Sequence, residues 1–473
     1  MNASIEAAPE NYLVVGAGPS GLIAARALLK ADVEIDIVER HSASGGIWDI
    51  DNPGSPMYET CHFITSKWLG GFLDFPMPED YPMYPSWRLV LEYIRKMSDA
   101  YGLTERTRFG LAVTEARPTV VAGTDAWTVR FSDGSEKLYR GVVYAGGQQW
   151  DPFKPSFEGE DGFQGTIITG NLYRDPEEFD GKRVLIVGAG NSGVDIAVDA
   201  AEHADAAFLS TRRAYHFLPK QVFGVPTPDL LNGKVALPPV PGVTGELELI
   251  DIIHLALSTV GDLGQYGLPK PEGVILGSTQ PIVSDLALHC FSHGTLKHRP
   301  NIKRFHATEV EFEDGSREQI DLVVFATGYD IDIPWLPEGA LDYEAGHPHF
   351  HLGALALNVP NLYGIGVLHP SRADAWATFD QLSQLVVADI KATLTGENAE
   401  ALRYIREEFR PNLKGDFPFL DVRRNVNQVD IAVLDQLITD LEQKFGIAIP
   451  RRETPGFYDS VRLQNATAQE AAA

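Results

Sequence analysis

Two glycine-rich stretches with the spacing of a dinucleotide-binding loop occur far apart in this chain. The first is Gly16-Ala17-Gly18-Pro19-Ser20-Gly21, and the second is Gly188-Ala189-Gly190-Asn191-Ser192-Gly193. In such a loop the glycines allow a tight turn, close approach of the backbone to a pyrophosphate, and close packing of the following helix. The free N–H groups at the start of that helix attract phosphate. Two such loops predict two nucleotide cofactors that meet for electron transfer.

The residues around the first loop complete a nucleotide site. The apolar run 13–15 predicts a buried parallel strand, and residues 22–29 predict a helix. A second strand, predicted at 33–38, ends in Glu39. An acid about 20 residues after the glycines bonds a ribose hydroxyl in this type of fold. The first site therefore suits FAD or NAD.

The second loop differs at the position of that acid. Strands are predicted at 184–187 and 206–210, with a helix from Val194, and Thr211-Arg212-Arg213 follows the second strand. A carboxylate would repel a 2′-phosphate, whereas arginine binds one with a planar, charged fork. The second site therefore suits NADPH. The alternative for the two arginines is a solvated strand end.

The two halves of the chain share further features, which together predict the fold class. Hairpin signals at 127–134 and 310–315 precede apolar strands at 142–144 and 322–325. We expect an α/β protein with two Rossmann-like dinucleotide-binding domains, for FAD and NADPH, the second inserted into the first, and a small, mostly helical insertion. The predicted parts are 1–160 (FAD domain), 161–325 (NADPH domain, with an insertion at about 215–300, Pro-rich at 237–241 and helical at 249–260) and 326–473 (FAD domain again, and tail).

Several short strings occur in a fixed order between about Tyr12 and Gln381. They are Gly45-Gly46-Ile47-Trp48, Asp74-Phe75-Pro76, Tyr84-Pro85-Ser86, Phe163-Gln164-Gly165 with Thr169 and Tyr173, and Ala326-Thr327-Gly328-Tyr329. Through these strings the chain resembles the flavin-containing monooxygenases, the class B flavoprotein monooxygenases, and among them a soluble member of the bacterial type. Each string alone is short. Their order and spacing carry the resemblance.

The resemblance implies an FAD enzyme that uses NADPH and O2, with a small-molecule substrate. A C4a-(hydro)peroxyflavin would transfer one oxygen atom to a soft nucleophile, such as an amine nitrogen, a sulfide sulfur or an indole-like carbon. A Baeyer–Villiger monooxygenase acting on ketones and an NADPH oxidase that releases hydrogen peroxide are the alternatives. Tyr173, where the Baeyer–Villiger branch carries Trp, favours heteroatom oxygenation.

Three positions depart from the family pattern. Thr169 stands where His is usual, Ser66 where Asn is common beside the flavin, and Gly146 where Thr is usual. Ser66 and Thr169 can still form hydrogen bonds, so we predict both as catalytic. The predicted cofactor contacts are Gly16, Gly18, Pro19, Ser20, Gly21, Glu39, Gly46, Ile47, Trp48, Gly188, Gly190, Asn191, Ser192, Gly193, Thr211, Arg212, Arg213, Ala326, Thr327, Gly328, Gly366 and Gln381. In the family, a segment matching 366–392, with a helix from about 379 to 393, closes over the flavin.

Composition excludes several function classes. The chain has 473 residues and a net charge of −26, which disfavours nucleic acid and anionic membranes as partners. Only two cysteines occur, and no Cys-x-x-Cys, so a flavin disulfide reductase is excluded. No signal sequence or apolar stretch of about 18 residues is visible, and we expect a cytoplasmic enzyme with no membrane partner. A homodimer is left open. We expect no metal site, with His347, His349 and His351 on a surface strand or loop.

Overall fold

Two five-stranded parallel sheets form the framework of the protein. The computed structural model describes residues 8–231, 249–370 and 374–452. Apolar runs form the central strands because both faces of a parallel sheet are covered. The first sheet has the order Leu362–Gly364, Gly141–Tyr144, Tyr12–Val15, Ile35–Glu39, Thr107–Phe109. The second has the order Leu296–Arg299, Ala206–Ser210, Arg183–Val187, Leu322–Phe325, Thr166–Thr169.

Each sheet is accompanied by a three-stranded antiparallel meander. The first comprises Val113–Val121, Thr124–Phe131 and Glu136–Tyr139, and the second Ile302–Phe305, Glu309–Phe312 and Arg317–Gln319. Gly134 and Gly315 turn the predicted hairpins with φ of +81° and +82°, a conformation that favours glycine. The internal repeat expected from the sequence is therefore present in the fold.

The chain passes between the two sheets twice, along paired segments. Asp151–Pro152 leaves the first sheet, Tyr329–Asp330 returns to it, and the two pair antiparallel. Leu362–Gly364 then joins the first sheet beside Gly141–Tyr144. The second unit is thus inserted into the first, and the predicted fold class is confirmed.

The helix after each glycine loop begins inside the loop. Pro19–Lys30 follows the first and Asn191–His203 the second. The other α-helices are Trp87–Ala100, Leu103–Arg106, Thr227–Leu231, Leu249–Val260, Asp285–His293, Ala375–Thr395, Ala399–Glu407 and Ile431–Gln443. The 3₁₀ turns are Gly46–Trp48, Glu160–Gly162, Gly170–Leu172, Pro176–Phe179, Leu263–Tyr266 and Arg423–Asn425. The short strand pairs are Phe217–Leu218 with Ile282–Val283, Gln221–Val222 with Val225–Pro226, Asp342–Glu344 with His347–His349, and His369–Pro370 with Gln428–Val429.

The insertion is shorter than the predicted span of about 215–300. Helix Asp285–His293 packs on Asn191–His203, and strand Leu296–Arg299 pairs in parallel with Ala206–Ser210. Both belong to the second dinucleotide unit. The strand Leu296–Arg299 was not predicted from the sequence because it lies at the sheet edge and Leu296 is its only fully apolar residue. The helical run at 249–260 is confirmed as Leu249–Val260, whereas the Pro-rich stretch 237–241 lies outside the described residues.

A buried ion pair ties the first glycine-loop helix to the long helix Ala375–Thr395. Arg26 is 2% exposed and pairs with Asp380 on that helix and with Asp74 in the loop before helix Trp87–Ala100. Burial raises the pKa of the Asp380 carboxyl, and the Arg26 guanidinium opposes that rise. The helix that the resemblance places over the first site is therefore fixed to the element that bears the loop.

Candidate functional site

The first glycine loop requires glycine at two positions for steric reasons. Gly16 has φ +113°, and a Cβ there would lie 2.5 Å from the carbonyl oxygen of Ala145. A Cβ on Gly21 would overlap the carbonyl of Gly16. The helix therefore packs directly against the turn. Pro19 occupies the first turn of that helix, where its missing N–H costs little.

Glu39 lies at the end of its strand, as predicted, and anchors the loop. Its two carboxylate oxygens accept hydrogen bonds from the backbone N–H groups of Ala17 (2.7 Å) and His41 (2.8 Å). The side chain is 6% exposed. Since each oxygen can accept a second bond, this geometry is compatible with contact to a ribose hydroxyl.

The Gly45–Trp48 turn lies over the first loop. The Gly45 N–H donates to the Ala17 carbonyl (3.0 Å), and a Cβ on Gly18 would lie 3.2 Å from the Cα of Gly46. The side-chain amide of Asn52 donates to the Gly46 carbonyl (3.1 Å). The predicted contacts Gly46, Ile47 and Trp48 are thus brought next to Gly18.

Ser20 and Gly366 also meet at this site. Gly366 has φ +91°, and a Cβ there would overlap the Ser20 hydroxyl. The amide of Gln148 donates to the Gly366 carbonyl. Sequence reasoning missed Gln148, which directly follows the positive-φ residue Gly147. Gln381 lies farther along helix Ala375–Thr395, 9% exposed, and donates to the Pro450 carbonyl (3.4 Å).

The second loop repeats the geometry of the first. Gly188 has φ +106°, and its Cβ would lie 2.6 Å from the Ala326 carbonyl oxygen, while a Cβ on Gly193 would overlap the Gly188 carbonyl. The Asn191 side chain accepts a hydrogen bond from the Val283 N–H (3.2 Å), and Ser192 is exposed at the helix start. The middle glycine, Gly190, has no atom within 4 Å of where its Cβ would be. Space is therefore open at the position where a pyrophosphate would approach.

The residues after strand Leu322–Phe325 connect the second loop to the chain crossing. The Ala326 N–H donates to the Val187 carbonyl (2.9 Å). The Thr327 hydroxyl donates to the Phe153 carbonyl, and the Phe153 N–H donates to the Gly328 carbonyl (2.9 Å). All three predicted residues therefore lie beside the second loop.

Thr211, Arg212 and Arg213 follow strand Ala206–Ser210, where the acid stands in the first unit. The Thr211 hydroxyl bonds His298 Nε2 (2.9 Å), and burial lowers the pKa of His298 to about 4. Arg212 is exposed. Arg213 lies over the ring of Tyr215, with 4.8 Å from the guanidinium carbon to the ring centroid. Two cations and a hydroxyl thus stand at this strand end.

Ser66 and Thr169 have separate partners. Ser66 is completely buried; its hydroxyl donates to Asp229 Oδ2 (2.7 Å) and accepts from the Leu69 N–H (3.1 Å). Thr169, at the end of its strand, donates to Asn171 Oδ1 (2.6 Å). Asp229 belongs to helix Thr227–Leu231, and sequence reasoning missed it because 163 residues separate it from Ser66.

An aromatic cluster lies between the Gly45–Trp48 turn and the long helix. Trp48 meets Phe63 edge-on at 5.2 Å, and Trp376 stacks on Phe72 at 4.9 Å. Tyr93 lies parallel to Trp376 at 6.5 Å between ring centroids. Stacked rings form a flat apolar wall that excludes water. Trp48, predicted as a cofactor contact, belongs to this wall together with Trp376.

The predicted surface position of the three histidines is correct for one of them and wrong for two. His347 and His351 are buried, so the surface prediction is wrong for them: each bonds a backbone carbonyl, of Ala345 and Ile405 respectively. His349 is exposed. Within the described ranges no group of three His, Cys, Asp or Glu could hold a metal ion, and no helix is long and apolar enough to cross a membrane. Cys61 and Cys290 are both buried thiols.

The chain is similar in sequence and in fold to known monooxygenases. The sequence model described as "FMO-like: Flavin-binding monooxygenase-like" matches residues 10–371. Indole-3-pyruvate monooxygenase YUCCA1 of Oryza sativa subsp. japonica is 32% identical over 332 residues, 69% of this chain and 78% of the relative. Flavin-containing monooxygenase 5 of Rattus norvegicus is 31% identical over 439 residues, covering 87% and 81%. S-allyl-L-cysteine S-oxygenase from Allium sativum shares the fold with a TM-score of 0.62 at 18% identity, covering 97% of this chain and 94% of that one.

Proposed function

The chain belongs to the flavin-binding monooxygenase-like family, and we propose that it oxygenates soft nucleophiles at nitrogen, sulfur or an indole-like carbon. It is a flavoprotein monooxygenase that uses FAD and NADPH, with O2 and a small molecule as substrates. The observation that carries the assignment is the pair of complete dinucleotide loops, of which the first is followed by the acid Glu39 and the second by Thr211, Arg212 and Arg213 in its place.

We propose that the first loop, with Glu39 and the Gly45–Trp48 turn, holds FAD and that the second holds NADPH. Bound flavin would supply hydride acceptance and oxygen activation, and the protein would supply position and dryness. The N–H groups at the start of helices Pro19–Lys30 and Asn191–His203 would bind the pyrophosphates. The aromatic wall of Trp48, Phe72 and Trp376 would exclude water from the reacting side.

We propose that Ser66 and Thr169 line the oxygen-transfer site. A hydroxyl has one hydrogen to donate and two lone pairs. The Ser66 hydrogen is given to Asp229 and one lone pair accepts from Leu69, so Ser66 would act as an acceptor through its remaining lone pair. The Asn common at this position donates two hydrogens, and we expect weaker control of oxygen here, with more peroxide released.

The domain division 1–160, 161–325 and 326–473 is part of the same proposal, with the insertion ending near 284, before helix Asp285–His293. The names of two relatives, an indole-3-pyruvate monooxygenase and a flavin-containing monooxygenase, favour an indole-like or heteroatom substrate. We propose a cytoplasmic enzyme and keep a homodimer as the form to be tested by light scattering.

The test is a panel of sulfides, amines, indoles and ketones, with NADPH consumption, peroxide and oxygenated product measured together. Product from sulfide, amine or indole, with less peroxide than NADPH consumed, supports the proposal. Product from ketones alone would instead establish the Baeyer–Villiger alternative. Peroxide equal to NADPH with every compound would establish the oxidase alternative.

Ser66→Ala tests the role of the hydroxyl. We expect more peroxide per NADPH, with the anaerobic rate of flavin reduction unchanged, because the contact matters only after reduction. Ser98→Ala is the matched control, since Ser98, in helix Trp87–Ala100, is equally buried and its hydroxyl bonds that of Thr104. Unchanged peroxide in Ser66→Ala, with FAD fully bound, would remove Ser66 from the site.

A further inference from the structure

A C-terminal segment of the chain is fixed against the insertion of the second dinucleotide unit. It contains the 3₁₀ turn Arg423–Asn425 and lies beyond the residues 10–371 that match the family. The Asn425 amide donates to the Ser278 carbonyl (2.8 Å), and the Leu420 N–H donates to the same carbonyl (2.9 Å). Asn425 is buried. The position of the neighbouring Arg424 is therefore determined by packing as well as by its own contacts.

Arg424 and Arg213 are held on adjacent residues of the insertion. Arg213 Nη2 donates to Thr279 Oγ1 (3.3 Å), and Arg424 donates to the side-chain oxygen of Gln280. Arg213 follows strand Ala206–Ser210 by three residues. Arg424 reaches the same place from a segment more than 200 residues later in the sequence.

Arg212, Arg213 and Arg424 have no carboxylate partner among the described residues. Among residues 8–231, 249–370 and 374–452, neither Arg213, Arg424 nor Arg212 forms a salt bridge. Arg213 Nε is buried and has no hydrogen-bond partner within that part of the chain. Burial lowers the pKa of Arg424, Tyr215 opposes that shift, and the nearby Arg213 charge adds to it; the side chain is nevertheless exposed to solvent. A chain with a net charge of −26 thus brings like charges together with no paired carboxylate among its described residues.

We propose that Arg424 binds the 2′-phosphate of NADPH together with Arg213 and Arg212, and so determines cofactor specificity from outside the dinucleotide domain. This inference rests on the proposed role of the second loop as the NADPH site. The 2′-phosphate lies at the end of the second strand in such a unit, which is where Arg212 and Arg213 stand. A phosphate dianion needs several donors, and guanidinium groups provide them in a planar fork.

Arg423, the residue before Arg424, attaches the C-terminal segment to the part of the chain that passes between the two sheets. Arg423 pairs with Asp330 and lies over the ring of Phe153 at 4.2 Å. Both partners belong to the segments through which the chain passes between the two sheets. Bound phosphate would therefore join the second unit to a segment that Arg423 already attaches to the crossing.

The test uses the full, FAD-loaded chain and measures binding by calorimetry, independently of turnover. The probes are adenosine 2′,5′-bisphosphate and adenosine 5′-monophosphate, which differ by the 2′-phosphate. We expect Arg424→Ala to weaken bisphosphate binding about tenfold and to leave monophosphate binding within about twofold. Arg424→Lys should recover part of the loss because the charge is kept. Arg403→Ala is the control, since Arg403 is an exposed arginine of helix Ala399–Glu407.

Three results would overturn the inference. Unchanged bisphosphate binding in Arg424→Ala would show that the residue does not contact the phosphate, and equal weakening of both probes would show a structural role only. Loss of phosphate discrimination in Arg212→Ala alone, with Arg424→Ala behaving as the unaltered chain, would overturn the inference and leave the NADPH site standing. An unaltered chain that binds both probes equally would refute the NADPH site itself.

Discussion

At the scale of single residues, the middle glycines of the two loops differ although the outer glycines repeat. Gly18 faces the Cα of Gly46, whereas Gly190 faces open space. Alanine in place of Gly18 would therefore disturb the packing against Gly46. Alanine in place of Gly190 would instead occupy only the space where a ligand would bind. Since Gly190 has φ −78°, alanine can adopt its backbone conformation without strain.

Gly190→Ala should accordingly separate cofactor binding from folding. We expect a melting temperature within about 2 °C of the unaltered chain, full FAD content, and NADP⁺ binding weakened about tenfold or more because the backbone can no longer approach the pyrophosphate. Calorimetry and thermal unfolding measure the two effects. Gly162→Ala is the matched control, an equally open glycine in the turn Glu160–Gly162. Unaltered NADP⁺ affinity in Gly190→Ala would place the pyrophosphate elsewhere.

Arg212→Ala should change the choice of nicotinamide cofactor. Losing a charge-assisted hydrogen bond costs about 1.5–3 kcal/mol, roughly 10- to 150-fold. We expect that loss in kcat/KM for NADPH, with the value for NADH nearly unchanged. Arg212 is exposed and forms no salt bridge within the described residues, so folding should be unaffected. Equal slowing with both cofactors would mean that Arg212 does not read the 2′-phosphate.

The residue scale also shows where sequence reasoning stops. The positions of the glycine loops, of Glu39 and of the arginines after the second strand could be predicted because they depend on neighbours close in sequence. The partner of Ser66 could not, because Asp229 lies 163 residues away in an insertion without a motif. The same holds for Arg424, which meets Arg213 only through the folding of a C-terminal segment.

At the scale of elements, apolar strands were predicted well and edge strands poorly. The predictions at 206–210 and 322–325 agree with Ala206–Ser210 and Leu322–Phe325. Leu296–Arg299 was missed because an edge strand buries less of its surface and tolerates Lys, His and Arg. A periodic pattern reports burial rather than strand pairing, so the extent of the insertion could not be read correctly from it.

The second loop helix also carries a partly buried acid that bears on stability. Asp195 accepts a hydrogen bond from the Tyr58 hydroxyl (3.2 Å), and burial raises its pKa from 3.8 to about 6 despite the Lys220 charge. The folded state thus holds a proton between about pH 4 and 6 that the unfolded state releases. This contribution to stability is present at low pH and is lost as the pH rises through about 6.

Asp195→Asn should therefore stabilise the protein above pH 6 and not below about pH 4. The amide stays neutral and keeps an oxygen that can accept from Tyr58. We expect the free energy of unfolding to rise by about 1–3 kcal/mol at pH 8, with little difference at about pH 3.5, as measured by urea unfolding at both values. A gain of equal size at both pH values would show that ionisation of Asp195 is not the cause.

At the scale of the whole molecule, the repeated unit favours the binding of two nucleotides, whereas the negative net charge opposes it. Two parallel sheets with the same loop geometry provide two nucleotide sites, joined by the paired segments Asp151–Pro152 and Tyr329–Asp330. The chain has 65 acidic and 39 basic residues. Such an excess of negative charge repels itself and also repels an anionic cofactor. Under the proposal above, the arginines 212, 213 and 424 would counter that repulsion where the second cofactor binds.

Salt should consequently act on stability and on cofactor binding in opposite directions. Raising NaCl from 0.05 to 0.5 M shortens the screening length from about 14 Å to about 4 Å. We expect the melting temperature of the protein without bound NADP⁺ to rise by about 2–5 °C, because salt screens the repulsion between its negative charges. NADP⁺ binding should weaken over the same range, and more steeply than NAD⁺ binding, because the 2′-phosphate is held by charge. Choline chloride, with a bulky cation, controls for specific sodium binding. Parallel salt dependence for NADP⁺ and NAD⁺ would mean that the arginine cluster does not bind the 2′-phosphate, even if the rise in melting temperature is observed.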